Sequence, residues 1–139
     1  MGLEISAGNK AFRAGSYTGF HNFRNWLAQK IGFKNIENYY DTYKDIIGEF
    51  NHKTGICAGA SRIPLGPLLE HSDCDGTINN KQAVKLLSEL KEIKQNLKKL
   101  PRKDKKGARE NEIWFRERLD NWIEACQEAI EHEDPIYFG

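Results

Sequence analysis

Apolar residues recur at helical spacing in four stretches of the chain, which predicts four helices. The expected boundaries are about residues 18–31, 36–50, 79–100 and 109–132. Ser16 or Thr18 supplies an N-cap for the first helix, and Asn79 or Asn80 does so for the third. Pro101 ends the third helix, because proline lacks the N–H group that would continue it. One side of the third helix is traced by Val84, Leu87, Leu90 (or Lys91), Lys94, Leu97 and Leu100, with Leu86 and Ile93 broadening it.

Short extended segments flank these helices. Leu3, Ile5 and Ala7 alternate with polar neighbours, which predicts a strand, and a second extended segment ends at Gly15. The tail, Ile136–Phe138, is expected to dock as a strand against the first one. The predicted fold class is therefore mostly α (α+β). Residues 1–139 form a single domain with about four helices, a small N-terminal antiparallel β-sheet and a C-terminal antiparallel helical hairpin.

Glycine and proline interrupt the helical pattern between His52 and Pro67, which predicts a long loop. A loop of this length in a small domain is often functional. Leu68 and Leu69 are expected to return to the core directly after it.

The composition limits the location and the partners of the chain. No stretch approaches the roughly 20 apolar residues that span a bilayer, so no membrane partner is expected. The N-terminus lacks the basic and then apolar pattern of a secretory signal. Cys57, Cys74 and Cys126 form no Cys-x-x-Cys pair, which favours free thiols in a cytoplasmic protein over disulfides or a structural zinc site.

Charge is unevenly distributed along the chain although its net value is +1. Residues 81–109 carry 11 basic and 3 acidic groups, and residues 110–139 carry 2 basic and 9 acidic groups. Two neighbouring helices that attract each other explain this better than a nucleic-acid stripe beside an acidic tail, so no nucleic-acid partner is expected. The basic side chains concerned are Lys98, Lys99, Arg102, Lys103, Lys105 and Lys106.

We predict no binding of generic duplex DNA or RNA at physiological salt, because the acidic last helix cancels the field of the basic segment. Gel-shift titrations at several salt concentrations test this. A sub-micromolar shift that weakens steeply with added salt would contradict it.

The segment from His71 to Ile78 contains the sharpest local motif. Residues 73–77, Asp-Cys-Asp-Gly-Thr, match a phosphatase signature of the haloacid dehalogenase type, but a poor strand precedes them and no βα repeat follows. Aligned as a calcium loop, the segment places His71 at the first ligand position and Gln82 at the last, and neither suits calcium. A tight turn in which Asp73 and Asp75 accept backbone N–H bonds is the simpler interpretation.

A second candidate site surrounds the start of the first helix. Ser16 and Thr18 offer hydroxyls beside free N–H groups that attract anions. Arg13 and Arg24 supply charge, and Tyr17 or Trp26 offers a ring for a base. A capped helix with aromatic core residues is the alternative explanation. We predict that the 72–77 segment lies close by, so that both form one site. The candidate ligand-binding residues are Arg13, Ser16, Tyr17, Thr18, His21, Arg24, Ser72, Asp73, Asp75 and Thr77.

No catalytic residue, metal or cofactor is expected. The four histidines do not show the mutual spacing of metal ligands. Cys74 lies between two carboxylates, which disfavour its thiolate, and Cys57 has no base nearby in the sequence. Whether the chain is an enzyme stays open at this point, with a non-enzymatic role favoured.

Three motifs in order resemble a widespread family of small bacteriophage and prophage proteins. They are Gly2-Leu3-Glu4-Ile5-Ser6-Ala7, Ala14-Gly15-Ser16-Tyr17-Thr18-Gly19-Phe20 with Arg24 and Leu27, and Ser72-Asp73-Cys74-Asp75-Gly76-Thr77-Ile78. A last helix rich in tryptophan, phenylalanine and arginine follows them. The family usually has glutamate where this chain has Asp75. The resemblance implies a phage context and an accessory role, and it brings no established activity.

Phage accessory proteins of this size often counter host defence, and one class sequesters nucleotide signals without cleaving them. By analogy, the leading hypothesis is a cytoplasmic anti-defence protein that binds a small phosphorylated nucleotide-like ligand. The alternative is a protein-interaction module that inhibits a host or phage protein through its helical surface. The identity of a host partner and the formation of a homo-oligomer stay open.

Overall fold

The computed structural model describes residues 2–102 and 107–139, and in these ranges it shows an α+β fold. The strands are β1 Gly2–Ala7, β2 Lys10–Ser16, β3 Phe50–Asn51, β4 Ile56–Cys57, β5 Gly76–Ile78 and β6 Ile136–Phe138. The helices are α1 Tyr17–Lys30, α2 Ile36–Tyr43, α3 Gly66–Leu69, α4 Asn80–Gln95 and α5 Ala108–Glu131, with a 3-10 turn at Ala60–Arg62.

Four antiparallel strands form the main sheet in the order β2-β1-β6-β5. The C-terminal strand pairs with β1 as the sequence predicted, with Ile5 opposite Phe138. The sheet also contains β5, which the sequence pattern did not indicate because it is only three residues long. Alternation along β1 buries Leu3, Ile5 and Ala7 on one face of the sheet.

Trp122 of α5 lies at the centre of the core between the sheet and the helices. Its ring centroid is 5.4 Å from that of Phe12, 6.1 Å from that of Phe20 and 5.6 Å from that of Phe138. These contacts join β2, α1 and β6 to α5. Aromatic packing therefore fixes how α1 and α5 lie on the sheet.

Two predicted helices are longer than the observed ones. α2 ends at Tyr43 rather than near Phe50. The backbone carbonyls of Ile46 and Ile47 contact Gly59 instead of continuing the helix. Gly59 donates its N–H to the carbonyl of Ile47 at 2.6 Å and approaches the carbonyl of Ile46 so closely that a Cβ would not fit. α4 ends at Gln95 rather than at residue 100.

The buried face of α4 is turned relative to the predicted one. The buried residues are Ala83, Leu86, Leu90 and Ile93, whereas Val84 is 55% exposed. Asn79 caps the helix through a capping box with Gln82, which confirms the predicted start. The displaced face reflects a pattern in which leucines occur on both sides of the helix.

Helices α4 and α5 pack against each other and are joined by polar contacts at both ends of α4. Lys94 forms an ion pair with Asp120 at 2.6 Å, and the amide of Asn80 donates to the carbonyl of Asp134 at 2.7 Å. Residues 103–106 of the connection lie outside the described residues, so the antiparallel hairpin stays a prediction. No helix within the described ranges is long and apolar enough to cross a membrane.

The stretch predicted as a long loop contains short elements that pack onto the domain. The β3–β4 ribbon, the 3-10 turn and α3 all lie within or next to it. Leu68 and Leu69 are fully buried, which confirms their predicted return to the core. Leu65 adopts a left-handed conformation with φ of 56° at the start of α3.

Candidate functional site

The 72–77 segment is held from within the protein by the buried ring of His71. Its Nδ1 lies 3.0 Å from the carbonyl oxygen of Ser72, and its Nε2 lies 2.8 Å from that of Thr77. The ring stacks on Phe138 with centroids 3.8 Å apart. Burial lowers the pKa of His71, while its hydrogen bonds to these carbonyls act in the opposite direction. The His71 ring therefore connects the two ends of the segment and holds it as a turn.

The side chains in the turn do not arrange as the sequence suggested. The Ser72 hydroxyl accepts the N–H of Cys74 at 3.3 Å and donates to Oδ1 of Asp75 at 3.3 Å. The serine therefore fills the turn-capping role that was expected of the aspartates. Asp73 and Asp75 are exposed, so both carboxylates face solvent at the rim of the turn.

Arg24 connects this turn to α1 from inside the protein. Its Nη2 donates to the carbonyl of His71 at 2.6 Å and to that of Ser72 at 3.4 Å, and its guanidinium lies 4.0 Å from the ring centroid of Phe20. Arg24 is only 7% exposed, and its Nε has no hydrogen-bond partner among the described residues. The guanidinium is thus bonded to the protein's own backbone instead of being open to a phosphate.

Two half-buried groups, Glu70 and Tyr40, surround the guanidinium of Arg24. Burial raises the pKa of Glu70 to about 7, although the charge of Arg24 opposes this rise. Burial also raises the pKa of Tyr40, whose hydroxyl donates to the carbonyl of Leu69 at 3.1 Å. The Oε1 atom of Glu70 is buried without a hydrogen-bond partner in the described part of the chain. These groups form a polar cluster in which some buried atoms have no hydrogen-bond partner among the described residues.

The start of α1 and the 72–77 turn are next to strands at opposite edges of the main sheet. α1 follows β2, the turn leads into β5, and these strands are the two outer edges of the sheet. The two strands between them separate the edges by about 14 Å. That both segments form one site stays a prediction. Arg24 reaches the turn because α1 runs across the face of the sheet.

The predicted residues at the start of α1 are exposed but do not all point the same way. Ser16 Oγ accepts the N–H of Gly19 at 3.0 Å, which confirms Ser16 as the N-cap. Tyr17 and Thr18 are exposed in the first turn. Arg13 lies on the face of β2 opposite to buried Ala14, and thus away from the helices. His21 is also exposed, with Nε2 4.0 Å from Oε1 of Glu37.

A cleft of about 340 Å³ opens beside this first turn, between α1 and α5. We call it the α1 cleft, and its lining residues are Gly19, Asn22, Asn111, Trp114 and Phe115. Trp114 packs against Gly15 and Gly19, where a Cβ would lie 3.3 Å and 3.5 Å from the indole ring. The absence of side chains at these glycines allows the indole to approach the start of α1.

The guanidinium of Arg118 covers the tryptophan of the α1 cleft. It lies 4.6 Å from the centroid of the Trp114 ring, and its Nε is buried without a hydrogen-bond partner among the described residues. The ring of Phe115 lies 5.5 Å from that of Trp114 and stacks on Trp26 at 5.5 Å. The α1 cleft thus has an aromatic wall and two carboxamides, and the guanidinium of Arg118 lies against that wall without being part of the lining.

Sequence reasoning missed the α5 side of this cleft. In the sequence, Trp114 fits the apolar spacing of the predicted helix 109–132, and Asn111 and Arg118 belong to no motif. A signal was available, since Trp114 and Arg118 are four residues apart on a helix and therefore adjacent. The contact between Trp114 and the glycines of β2 and α1 is not visible in the sequence.

The described part of the basic segment is exposed at Lys98, Lys99 and Arg102. Lys94 is paired with Asp120, at 2.6 Å. Lys103, Lys105 and Lys106 lie outside the described residues. The nucleic-acid prediction therefore stays a prediction.

No family model, curated protein or solved structure matches this chain.

Proposed function

We propose that this chain is a phage-encoded accessory protein that binds and sequesters a small phosphorylated nucleotide-type ligand, a host-defence signal, without catalysis. The observation that carries the proposal is the indole of Trp114, which lines a cleft between the carboxamides of Asn22 and Asn111. This cleft lies directly beside the first turn of α1. The phage context rests on the resemblance of the three sequence motifs.

Each part of the α1 cleft suits one part of a nucleotide. The indole face that Arg118 does not cover offers a surface on which a base stacks, and the two carboxamides offer both donors and acceptors to the edge of the base. The first turn of α1 provides N–H groups without intrahelical acceptors, which favour a phosphate. The guanidinium of Arg118 adds positive charge at the aromatic wall. A volume of about 340 Å³ is at the lower end of the range for small-ligand sites.

The lining also favours binding over turnover. Its residues supply amide and aromatic groups and no carboxylate, imidazole or thiol that would transfer a proton or attack phosphorus. Sequestration needs affinity alone, so this chemistry is sufficient for the proposed role.

We expect calorimetry with a panel of cyclic and linear nucleotides to reveal binding to the wild-type protein. Trp114→Leu should weaken the affinity about tenfold or more, because one stacked base contributes about 1–3 kcal/mol. Asn111→Ala should also weaken it through the lost base-edge hydrogen bonds, and Tyr17→Ala through the lost ring at the first turn. Mass spectrometry of small molecules released by heating the purified protein provides an independent identification of the ligand.

The matched control is Asn38→Ala, which removes an exposed carboxamide from α2 instead of from the cleft. It should leave the affinity unchanged, and thermal melts should show that the variants are folded. If no nucleotide binds the wild type, or if Trp114→Leu and Asn111→Ala bind as tightly as Asn38→Ala does, the nucleotide proposal is wrong.

The second candidate function is a protein-interaction module that inhibits a host or phage protein through its helical surface. It is favoured by a groove of about 770 Å³ between α4 and α5, whose lining includes Lys91, Asp120 and Ile123. Exposed Val84 lies on α4, two turns before Lys91. An antiparallel hairpin of these two helices would present the groove to a partner helix. Failure of the nucleotide test would make this the leading proposal.

A further inference from the structure

The last turn of α5 gathers three side chains that ligate metals. Glu128, Glu131 and His132 each place one ligand atom within 4.8 Å of the other two. Their positions at i, i+3 and i+4 put them on one face of the helix. The spacing of the four histidines in the sequence does not reveal this cluster. It is found only when the two glutamates are considered together with His132.

The atoms of this cluster converge on the imidazole nitrogen Nε2 of His132. Oε2 of Glu128 lies 2.9 Å from this nitrogen, and the side-chain amide of Asn9 lies 3.4 Å from it. Rotation of the amide exchanges its oxygen and nitrogen atoms, so Asn9 can present its oxygen to the same nitrogen. The turn between β1 and β2 thus places a fourth potential ligand beside the three at the end of α5.

The turn between β1 and β2 closes over this cluster. The backbone N–H of Asn9 donates to Oε2 of Glu128 at 3.3 Å. Gly8 has φ of 53°, and a Cβ there would lie 2.6 Å from Cδ2 of His132 and 2.8 Å from Oε2 of Glu128. The turn thus needs glycine at this position to approach the end of α5.

The surrounding charge favours a cation. The cluster is at the C-terminal end of α5, where the helix dipole is negative. Glu133 and Asp134 follow it in the chain, and no lysine or arginine occurs after Arg118. The nearby Lys10 is paired with Glu124, one turn before Glu128, at 2.6 Å. One imidazole with two carboxylates is a ligand set typical of zinc and similar divalent transition metals, whereas calcium and magnesium prefer oxygen ligands throughout.

We propose that Glu128, Glu131 and His132 bind a divalent transition-metal ion of the zinc class, with Asn9 as a further ligand. The ion replaces the contact between Glu128 and His132 and links the end of α5 to the β1–β2 turn. The site is independent of the α1 cleft and of any nucleotide. Its consequence is structural, since an ion bound to the folded state alone stabilises that state.

The test is calorimetry of the full chain with zinc at pH 7.5 in a Cys74→Ser background, which removes the exposed thiol as a competing ligand. We expect one ion per chain, a higher melting temperature with zinc, and no comparable effect of magnesium. His132→Gln and Glu131→Gln should each weaken zinc binding about tenfold or more. Both side chains are exposed, so the variants should fold without metal.

The matched control is His52→Gln, which removes an exposed histidine next to the β3–β4 ribbon. It should leave zinc binding unchanged. Absence of zinc binding to the wild type, equal loss in His52→Gln, or full retention in His132→Gln would each overturn the proposal. Cobalt substitution adds a spectroscopic check, because a band typical of thiolate ligation would place the metal on a cysteine instead.

Discussion

Replacing Arg24 with alanine is expected to destabilise the protein by about 2–4 kcal/mol, as measured by chemical denaturation at pH 7. The substitution leaves the carbonyls of His71 and Ser72 without their shared donor. It also removes the guanidinium that covers the ring of Phe20. Burying a charge is unfavourable, and the substitution removes this cost. The expected destabilisation is therefore smaller than the sum of the lost contacts.

A graded series separates packing from hydrogen bonding at this position. Arg24→Met keeps much of the side-chain volume but removes the guanidinium donor to the two carbonyls, so we expect it to cost about 1–3 kcal/mol. Arg13→Ala removes an exposed arginine and should change the stability by no more than about 0.5 kcal/mol. An Arg24→Ala protein as stable as Arg13→Ala would show that the two backbone bonds contribute nothing.

Hydrogen exchange shows whether the loss is local to the turn. The N–H of Ser72 donates to the carbonyl of Gly55 at 2.6 Å, and that of Thr77 donates to the carbonyl of Thr54 at 2.9 Å. If Arg24 braces the turn, Arg24→Met should speed exchange at these two amides more than at amides in α5. Uniform loss of protection would instead indicate a general packing role.

Helix α1 was predictable because its apolar periodicity agrees with its burial. In α1, Phe20, Phe23 and Leu27 are buried as the spacing indicated. The same spacing places Arg24 on this face, four residues after Phe20, so its burial could also have been read from the sequence. Because arginine is charged, Arg24 was instead expected to be exposed and to bind a ligand.

The end of α2 could not be predicted from local pattern. Ile46, Ile47 and Phe50 continue the apolar spacing of the helix, yet the carbonyls of the two isoleucines contact Gly59. This contact depends on a residue more than ten positions away in the chain. Local propensity competes here with a tertiary contact, and the tertiary contact determines the structure.

The separation of the two predicted site segments depends on strand order. β5 is three residues long and carries no alternation that would assign it to an edge. Only its pairing with β6 places β5, and with it the 72–77 turn, at the edge of the sheet opposite to β2. The α1 cleft was missed for a related reason, because Trp114 reaches Gly15 and Gly19 across about 100 residues of chain.

Glu70 is expected to make the stability of the protein fall as pH rises from about 5 to 8. Burial raises the pKa of Glu70 from its ordinary value of 4.5 to about 7, with the charge of Arg24 acting against this rise. The folded state therefore binds more protons than the unfolded state between these values. The stability linked to this proton is fully present below pH 4.5 and is lost as pH rises through 7.

We expect Glu70→Gln to abolish this dependence, since glutamine resembles the protonated acid at every pH. The difference between the folded and unfolded pKa values corresponds to about 3 kcal/mol of folding free energy. Partial exposure of Glu70 to water reduces this contribution to about 1–2 kcal/mol. The variant should thus be more stable than the wild type by about 1–2 kcal/mol at pH 8 and nearly equal to it at pH 4.5. Titration of His71 affects both proteins and cancels in their difference.

Denaturation curves collected at several pH values give this difference directly. Glu117→Gln removes an exposed carboxylate from α5 and is the control for the loss of one negative charge. A difference between Glu70→Gln and the wild type that does not change with pH would show that Glu70 titrates at its ordinary value. A Glu70→Gln protein less stable than the wild type at pH 8 would show that the ionised carboxylate is a favourable partner of Arg24, because the attraction between the charges would then exceed the cost of burying them.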